Sequence, residues 1–344
     1  MDAPHTFLTS LSVVLCVAAV TTVIFQALRQ PVVLGYLLAG LIVGPHVPVP
    51  LASDVATTQE LAELGVILLM FSLGLEFSLR RLVQMSATLF AVALIEVAVV
   101  ASLGYGAARA LGWSAQDSLY TAAMVAISSS TIVAKVFREQ GVKGRLRDLV
   151  FGVLIVEDLV AILALATFTA LSSGRGVSAE LLGHTAARLV GFLVALVTVG
   201  MLVVPRFIRY VVALKRPETT LVAAVGVCFA TALVARQLGY SVALGAFLAG
   251  ALVAESGEGP AIEALVQPLR DIFAAIFFVA VGMQIDPALI ARNAGAVALL
   301  TAVVVVGKAA GVSLGAFLGG NDVRRSLKAG LSLGQIGEFS FILA

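Results

Sequence analysis

The chain has 344 residues, is 60% hydrophobic and only 12% charged, and carries a formal net charge of +2. Soluble domains run at about 25% charged, so the composition excludes an ordinary soluble protein and indicates a polytopic membrane protein. The small net charge argues against a nucleic-acid partner. Cys16 and Cys228 both fall in apolar runs, which offers neither a disulfide framework nor a metal-ligand spacing.

A membrane-spanning helix needs roughly 20 apolar residues. Apolar runs predict twelve spans, at 7–28, 31–46, 60–79, 86–111, 117–139, 147–172, 184–209, 218–238, 240–255, 268–284, 288–319 and 324–344. The first run follows Met1-Asp2-Ala3-Pro4-His5, which has no basic region, so it reads as a retained helix and not a signal peptide. Gly and Pro mark many joins, among them Pro31, Gly112, Gly141, Pro217 and Pro260. Lys and Arg set the orientation. Sixteen lie in one alternating set of loops and flanks, including Arg80, Arg81, Lys143, Arg145, Arg147, Lys215, Arg216, Arg324 and Arg325. Five lie in the other set (Arg109, Arg175, Arg188, Arg236 and Arg292). This asymmetry puts the N-terminus outside. Three small-residue stretches, 35–40, 245–250 and 315–320, predict closely packed helices.

Polar residues inside these spans are the candidates for chemistry. Glu96 lies within 86–111 and Glu76 near the end of 60–79. Each reads equally as lining a water path or as a capping or interfacial acid. Ser128-Ser129-Ser130-Thr131 interrupts span 117–139. Hydroxyls compete for backbone hydrogen bonds, and a broken helix at membrane depth offers carbonyls and hydroxyls to a cation. Glu157 and Asp158 stand together in the middle of an apolar run. A charged residue at mid-bilayer costs at least ~2.5 kcal/mol, so such a pair is read as an ion or proton site. Successive helical positions point about 100° apart, so the two acids cannot both face one small ion. Lys308 lies far from both ends of its span and needs a buried carboxylate, for which Glu157 or Asp158 is the natural partner. Gly334-Gln335-Ile336-Gly337-Glu338 predicts a second interrupted helix, with Gln335 and Glu338 as its polar members. Gly104-Tyr105-Gly106 lacks the residues of a potassium-channel filter, and His5, His46 and His184 lie near span ends.

Several segments together carry a resemblance. They are 61–76, Ile127–Ile132, Glu157-Asp158, Gly245–Gly250, Pro268–Phe273 with Phe277–Met283, Lys308 and Gly334–Phe341. In this order the chain resembles the Kef-type potassium/proton antiporters of the monovalent cation:proton antiporter-2 family. The resemblance implies an all-α inverted-repeat fold with two interrupted crossing helices. Residues 1–344 would form one transmembrane domain holding about twelve of thirteen helices. In such a domain a core bundle moves and a panel of helices dimerises. Asp158 maps to the acid that binds cation and proton, Ser129, Ser130 and Thr131 to the break before it, and Lys308 to the membrane lysine.

The implied function is not enzymatic. It is exchange of a monovalent cation, K+ favoured, for protons by alternating access in a bacterial inner membrane, by a homodimer embedded in lipid. The alternatives are Na+/H+ exchange on the same fold, or a ligand-gated K+ channel or leak. No cofactor is expected within the chain, since K+, Na+ and H+ are substrates. A nucleotide would belong to a regulatory domain beyond it. The chain departs from the Kef pattern in two ways. It carries Glu-Asp where that subgroup carries Gln-Asp, which leaves the ion and the stoichiometry open. It also stops at Ala344, inside the second interrupted helix, which suggests a truncated membrane domain.

Overall fold

The computed structural model describes residues 3–46, 55–76, 86–171, 179–238, 240–337 and 339–343. Regular structure among these residues is helical. The helices are α1 (Ala3–Ala27), α2 (Val32–Val43), α3 (Val55–Glu76), α4 (Ala87–Ala110), α5 (Ala115–Ala126), α6 (Ser130–Glu139), α7 (Arg145–Leu171), α8 (Ala179–Ala213), α9 (Pro217–Gln237), α10 (Val242–Val253), α11 (Gly259–Met283), α12 (Pro287–Arg292), α13 (Ala294–Ala302), α14 (Lys308–Leu318), α15 (Val323–Ser332) and α16 (Phe339–Leu343). Two wider π turns, Ala254–Glu258 and Val303–Gly307, join α10 to α11 and α13 to α14.

Among the described residues six segments are long and apolar enough to cross a membrane. They are Leu8–Ala27, Ala87–Ala110, Val194–Ala213, Pro217–Gln237, Val242–Met283 and Ala294–Leu318. Part of the difference from twelve has a physical origin. Val242–Met283 contains two of the predicted spans, joined across a kink at Gly257, whose φ is 89°. The predicted spans 117–139 and 324–344 are each split into two short helices. The helix predicted to start at 268 starts at Gly259. A polar cluster holds its early turns against α3: Glu263 Oε1 accepts from Ser72 Oγ at 2.5 Å and from Arg270 at 2.7 Å.

The chain divides into two units. The first comprises Met1–Leu79 and Ser173–Leu289. Here α3 packs on α10 and α11, and α2 packs on α11. Glycine sets the spacing. A Cβ at Gly40 would lie 2.1 Å from the Val279 carbonyl oxygen and 2.7 Å from Gly282 Cα. A Cβ at Gly250 would lie 2.1 Å from the Phe71 carbonyl oxygen and 2.8 Å from Gly74 Cα. The small-residue stretches at 35–40 and 245–250 therefore act as close helix contacts. The third stretch differs in part. Gly315 approaches the Val92 carbonyl, whereas Gly320 has φ +83° just beyond the end of α14 and helps turn the chain there.

The second unit comprises Arg80–Ser172 and Ile290–Ala344. Its centre is α4, which packs on α5, α7 and α14, while α14 packs on α15. Val92, Ala93, Val150, Val153, Leu154, Val312, Ala316 and Leu333 form one buried cluster. Val100, Val125 and Ala126 form a second.

The glycine contacts give a test. Gly250→Ala places a methyl against backbone and should destabilise the protein by about 1–3 kcal/mol, the usual cost of overpacking. Gly106 lies on an exposed face of α4, and a Cβ added there would meet nothing within 4 Å. Gly106→Ala should therefore be neutral or stabilising by up to ~1 kcal/mol. Thermal unfolding of the detergent-purified variants should show opposite or clearly unequal shifts.

Candidate ion-binding site

The second unit contains two interrupted helices that meet at their breaks. Helix α5 ends at Ala126, and Ile127 turns extended (φ −103°, ψ 125°). Residues 127–129 are non-helical, and α6 starts at Ser130. The interruption therefore begins one residue before the hydroxyl run 128–131 and two before the 129–131 that the resemblance implies, at a β-branched residue that favours extended backbone. Ser130 and Thr131 belong to the first turn of α6. Ser129 serves that turn, because its Oγ accepts from the Ile132 N–H at 3.2 Å. The second interruption follows α15, which ends at Ser332, and precedes α16.

Backbone and side chain tie the breaks together. The Gly337 N–H donates to the Ile127 carbonyl at 2.9 Å. The Ser129 N–H donates to Gln335 Oε1 at 2.8 Å, and Gln335 Nε2 reaches back to the Ser129 carbonyl at 3.4 Å. Ser340 Oγ donates to the Met124 carbonyl at 2.7 Å. A Cβ at Gly337 would lie 2.6 Å from the Ser128 carbonyl oxygen, so the crossing needs glycine at that point. Backbone groups freed by the breaks are thus satisfied inside protein, which non-helical backbone at membrane depth requires.

Lys308 opens α14 directly after the π turn, and its side chain is fully buried. Its Nζ donates to Ser128 Oγ at 2.7 Å and to the Ala126 carbonyl at 2.8 Å. It stands 3.4 Å from Glu96 Oε1 and 3.6 Å from Glu157 Oε1. The Ala126 carbonyl is one of the unpaired carbonyls at the C-terminal end of α5, where the helix dipole favours a cation. Glu157, also fully buried, answers from α7. Its Oε2 accepts from the Ser128 N–H at 2.5 Å, and its Oε1 lies 3.2 Å from Ser128 Oγ. That hydroxyl also reaches the Leu333 carbonyl at 3.3 Å, which links it to the end of α15.

Asp158 faces a different partner. It is only partly buried, and its Oδ2 accepts from Ser130 Oγ at 3.0 Å. Asp158 and Ser130 place a carboxylate and a hydroxyl beside the N-terminal turn of α6. Hard oxygen donors of this kind suit an alkali cation, and a carboxylate also accepts a proton.

The structure thus brings Glu157, Lys308, Ser129, Ser130, Asp158 and Gln335 around one crossing. The Thr131 side chain, Glu338 and the Glu76 side chain lie outside the described residues. Sequence reasoning names two further contributors without placing them beside Lys308. Ser128 stands out in the sequence only as part of the hydroxyl run, yet it contacts both Lys308 and Glu157. Glu96 stands next to Lys308 from α4. Its position in the middle of a long apolar span is the signal that points to it. Among the described residues no cluster of His, Cys, Asp and Glu could hold a metal ion in the manner of a resident cofactor.

Two crossed helix breaks thus enclose a buried lysine and buried acids within one helical unit. Comparison with known proteins gives the family. Residues 12–344 match the family model "Sodium/hydrogen exchanger, transmembrane", and the chain belongs to that family. It is 35% identical over 346 aligned positions to YbaL of Escherichia coli (strain K12), whose name proposes cation/proton antiport. That match covers 96% of this chain and 61% of YbaL. It is 29% identical to K(+) efflux antiporter 5 of Arabidopsis thaliana, over 98% of this chain and 60% of the relative. The chain therefore spans about three fifths of the length of these relatives. The solved sodium proton antiporter MjNhaP1 of Methanocaldococcus jannaschii superposes with a TM-score of 0.79 at 15% identity, covering 100% of this chain and 85% of the other. The fold is that of MjNhaP1, and the resemblance to the Kef-type proteins is borne out.

Lys308 is the group whose loss the site should tolerate least. Lys308→Met removes the donor to Ser128 and the Ala126 carbonyl and leaves buried acid without its cation. Breaking a buried ion pair costs about 3–5 kcal/mol. A large drop in the melting temperature of the purified protein is expected. An unchanged melting curve would mean that the ammonium does not hold the crossing.

Proposed function

We propose that this chain exchanges a monovalent cation for protons by alternating access, with Asp158 binding each in turn. The observation that carries the reading is the division of labour between adjacent acids. Glu157 is fully buried and engaged with Ser128 and Lys308. Asp158 is partly exposed beside the Ser130 hydroxyl at the helix break. A cation and a proton compete for the same carboxylate, so release of one accompanies uptake of the other. Ser129, Gln335 and the break carbonyls hold the surrounding geometry, and Ser130 supplies a ligand oxygen. Glu338 and the Thr131 hydroxyl are further candidates near the same crossing.

K+ is the favoured cation, supported by the names of relatives such as K(+) efflux antiporter 5. Na+ is the second reading, supported by the family description and by the name of MjNhaP1. The protein acts in a bacterial inner membrane with its N-terminus outside, a reading supported by the distribution of Lys and Arg. It works as a homodimer through panel helices, in keeping with the fold, and needs no cofactor within this chain. Residues 1–344 form the transmembrane antiporter domain.

Reconstituted in proteoliposomes, the wild type should move protons when a K+ or Na+ gradient is imposed. Asp158→Asn should abolish that movement. Because the ions compete, the cation concentration giving half-maximal rate should rise as pH falls. Full exchange by the Asp158→Asn variant, or a half-saturating concentration independent of pH, would overturn the assignment.

A further inference from the structure

Lys308 has two carboxylates and one positive charge. Glu96, Glu157 and Lys308 are all completely shielded from solvent. Glu96 Oε1 and Glu157 Oε1 lie 3.4 Å and 3.6 Å from the same ammonium. With both acids ionised the cluster would hold one excess negative charge without water, a strongly disfavoured state.

The hydrogen bonding has the same gap. Lys308 spends its donors on Ser128 Oγ, the Ala126 carbonyl and the acid oxygens. Glu157 Oε2 receives the Ser128 N–H. Glu96 Oε2 is buried and has no hydrogen-bond partner, and the Glu96 and Glu157 carboxyls converge on the same Lys308 ammonium. Two ionised carboxylates can only accept. One proton supplies the missing donor and removes the excess charge together.

Among the described residues of the elements packed on α4, none supplies either. Helix α4 packs on α5, α7, α13, the π turn 303–307 and α14. Helix α13 and the π turn carry no titratable residue, and Lys308 is the only one on α14. On α5 they are Asp117 and Tyr120, and Asp117 lies in the first turn, remote from the break. On α7 they are Arg145, Arg147, Asp148, Glu157 and Asp158. The first three lie in its opening turn, and Asp158 is engaged with Ser130. On α4 itself, Tyr105 and Arg109 lie more than two turns beyond Glu96.

We propose that Glu96 and Glu157 share one proton over Lys308, forming a proton-binding site distinct from Asp158. The shared proton makes the cluster neutral. Its departure would leave a buried negative charge one residue from Asp158 and so favour cation loading there. Glu96 is a positioning residue in this arrangement, acting on the transport carboxylate through Glu157 and Lys308. The site exists whether or not Asp158 is the carrier of transport.

The test is an infrared difference spectrum of the full chain in lipid, recorded in the Asp158→Asn background. That background removes the transport carboxyl from the spectrum. A carbonyl band from a buried protonated carboxyl should be present and should shift in heavy water. It should be lost on Glu96→Gln, because Glu157 alone then balances Lys308. It should equally be lost on Glu157→Gln, because Glu96 alone then balances Lys308. Loss from both variants is the signature of one shared proton. A band absent from the background protein, or surviving in either variant, overturns the proposal. Exchange assays on the Asp158→Asn protein report separately on the transport assignment.

Discussion

A lysine ammonium without water must find its acceptors in protein, and Lys308 finds them in four places at once. The end of α5 supplies a carbonyl, the first break supplies the Ser128 hydroxyl, and α4 and α7 supply carboxylates. One side chain therefore ties α14 to the end of α5, to the first break and to the two helices beside it. The π turn 303–307 immediately precedes Lys308. An extra residue in a turn rotates the helix that follows it, and π turns recur at functional sites for this reason. The aim of Lys308 and the irregularity of its helix are linked in sequence by adjacency.

The break itself follows from the same electrostatics. A continuous helix would bury its peptide dipoles internally and offer nothing to an ion. Splitting it at 127–129 exposes a carbonyl-rich end on α5 and an amide-rich end on α6. The positive group lies at the carbonyl end, where Lys308 meets Ala126. The acids lie at the amide end, where Glu157 meets the Ser128 N–H and Asp158 meets the Ser130 hydroxyl. Both charges sit where the helix dipoles favour them. The second interrupted helix completes the arrangement by pairing Gly337 with Ile127 and Gln335 with Ser129.

Much of this is legible in the chain because lipid makes polar residues conspicuous. Glu157-Asp158, the hydroxyl run, Lys308 and Gln335 all stand out against apolar neighbours, and the structure gathers them at one crossing. Individual contacts are not legible. Lys308 and Glu96 are 212 positions apart, and no local pattern tells which of several intramembrane acids meets a given lysine. The start of the break is also hidden. Hydroxyl content points to 128–131, but chain direction is set by Ile127, an apolar residue that carries no polar signal. Helix ends in the first unit shift for a similar reason: the long α11 depends on the Ser72–Glu263–Arg270 cluster, which spans 191 and 198 positions.

The Glu-Asp pair and the Gln-Asp pattern of the Kef proteins make different demands on Lys308. At position 157 the oxygen bonded to the Ser128 N–H is an acceptor that a glutamine amide oxygen could supply equally well. What a glutamine could not supply is negative charge for Lys308. Glu96 stands at 3.4 Å to provide it. A glutamine at 157 would leave one carboxylate facing one ammonium. The glutamate in this chain leaves two, and the shared proton restores the balance. On this reading the two patterns differ by one bound proton and not by one net charge. The crossing can keep the same electrostatics with either residue, and a difference in coupling between such proteins would arise only when that extra proton moves.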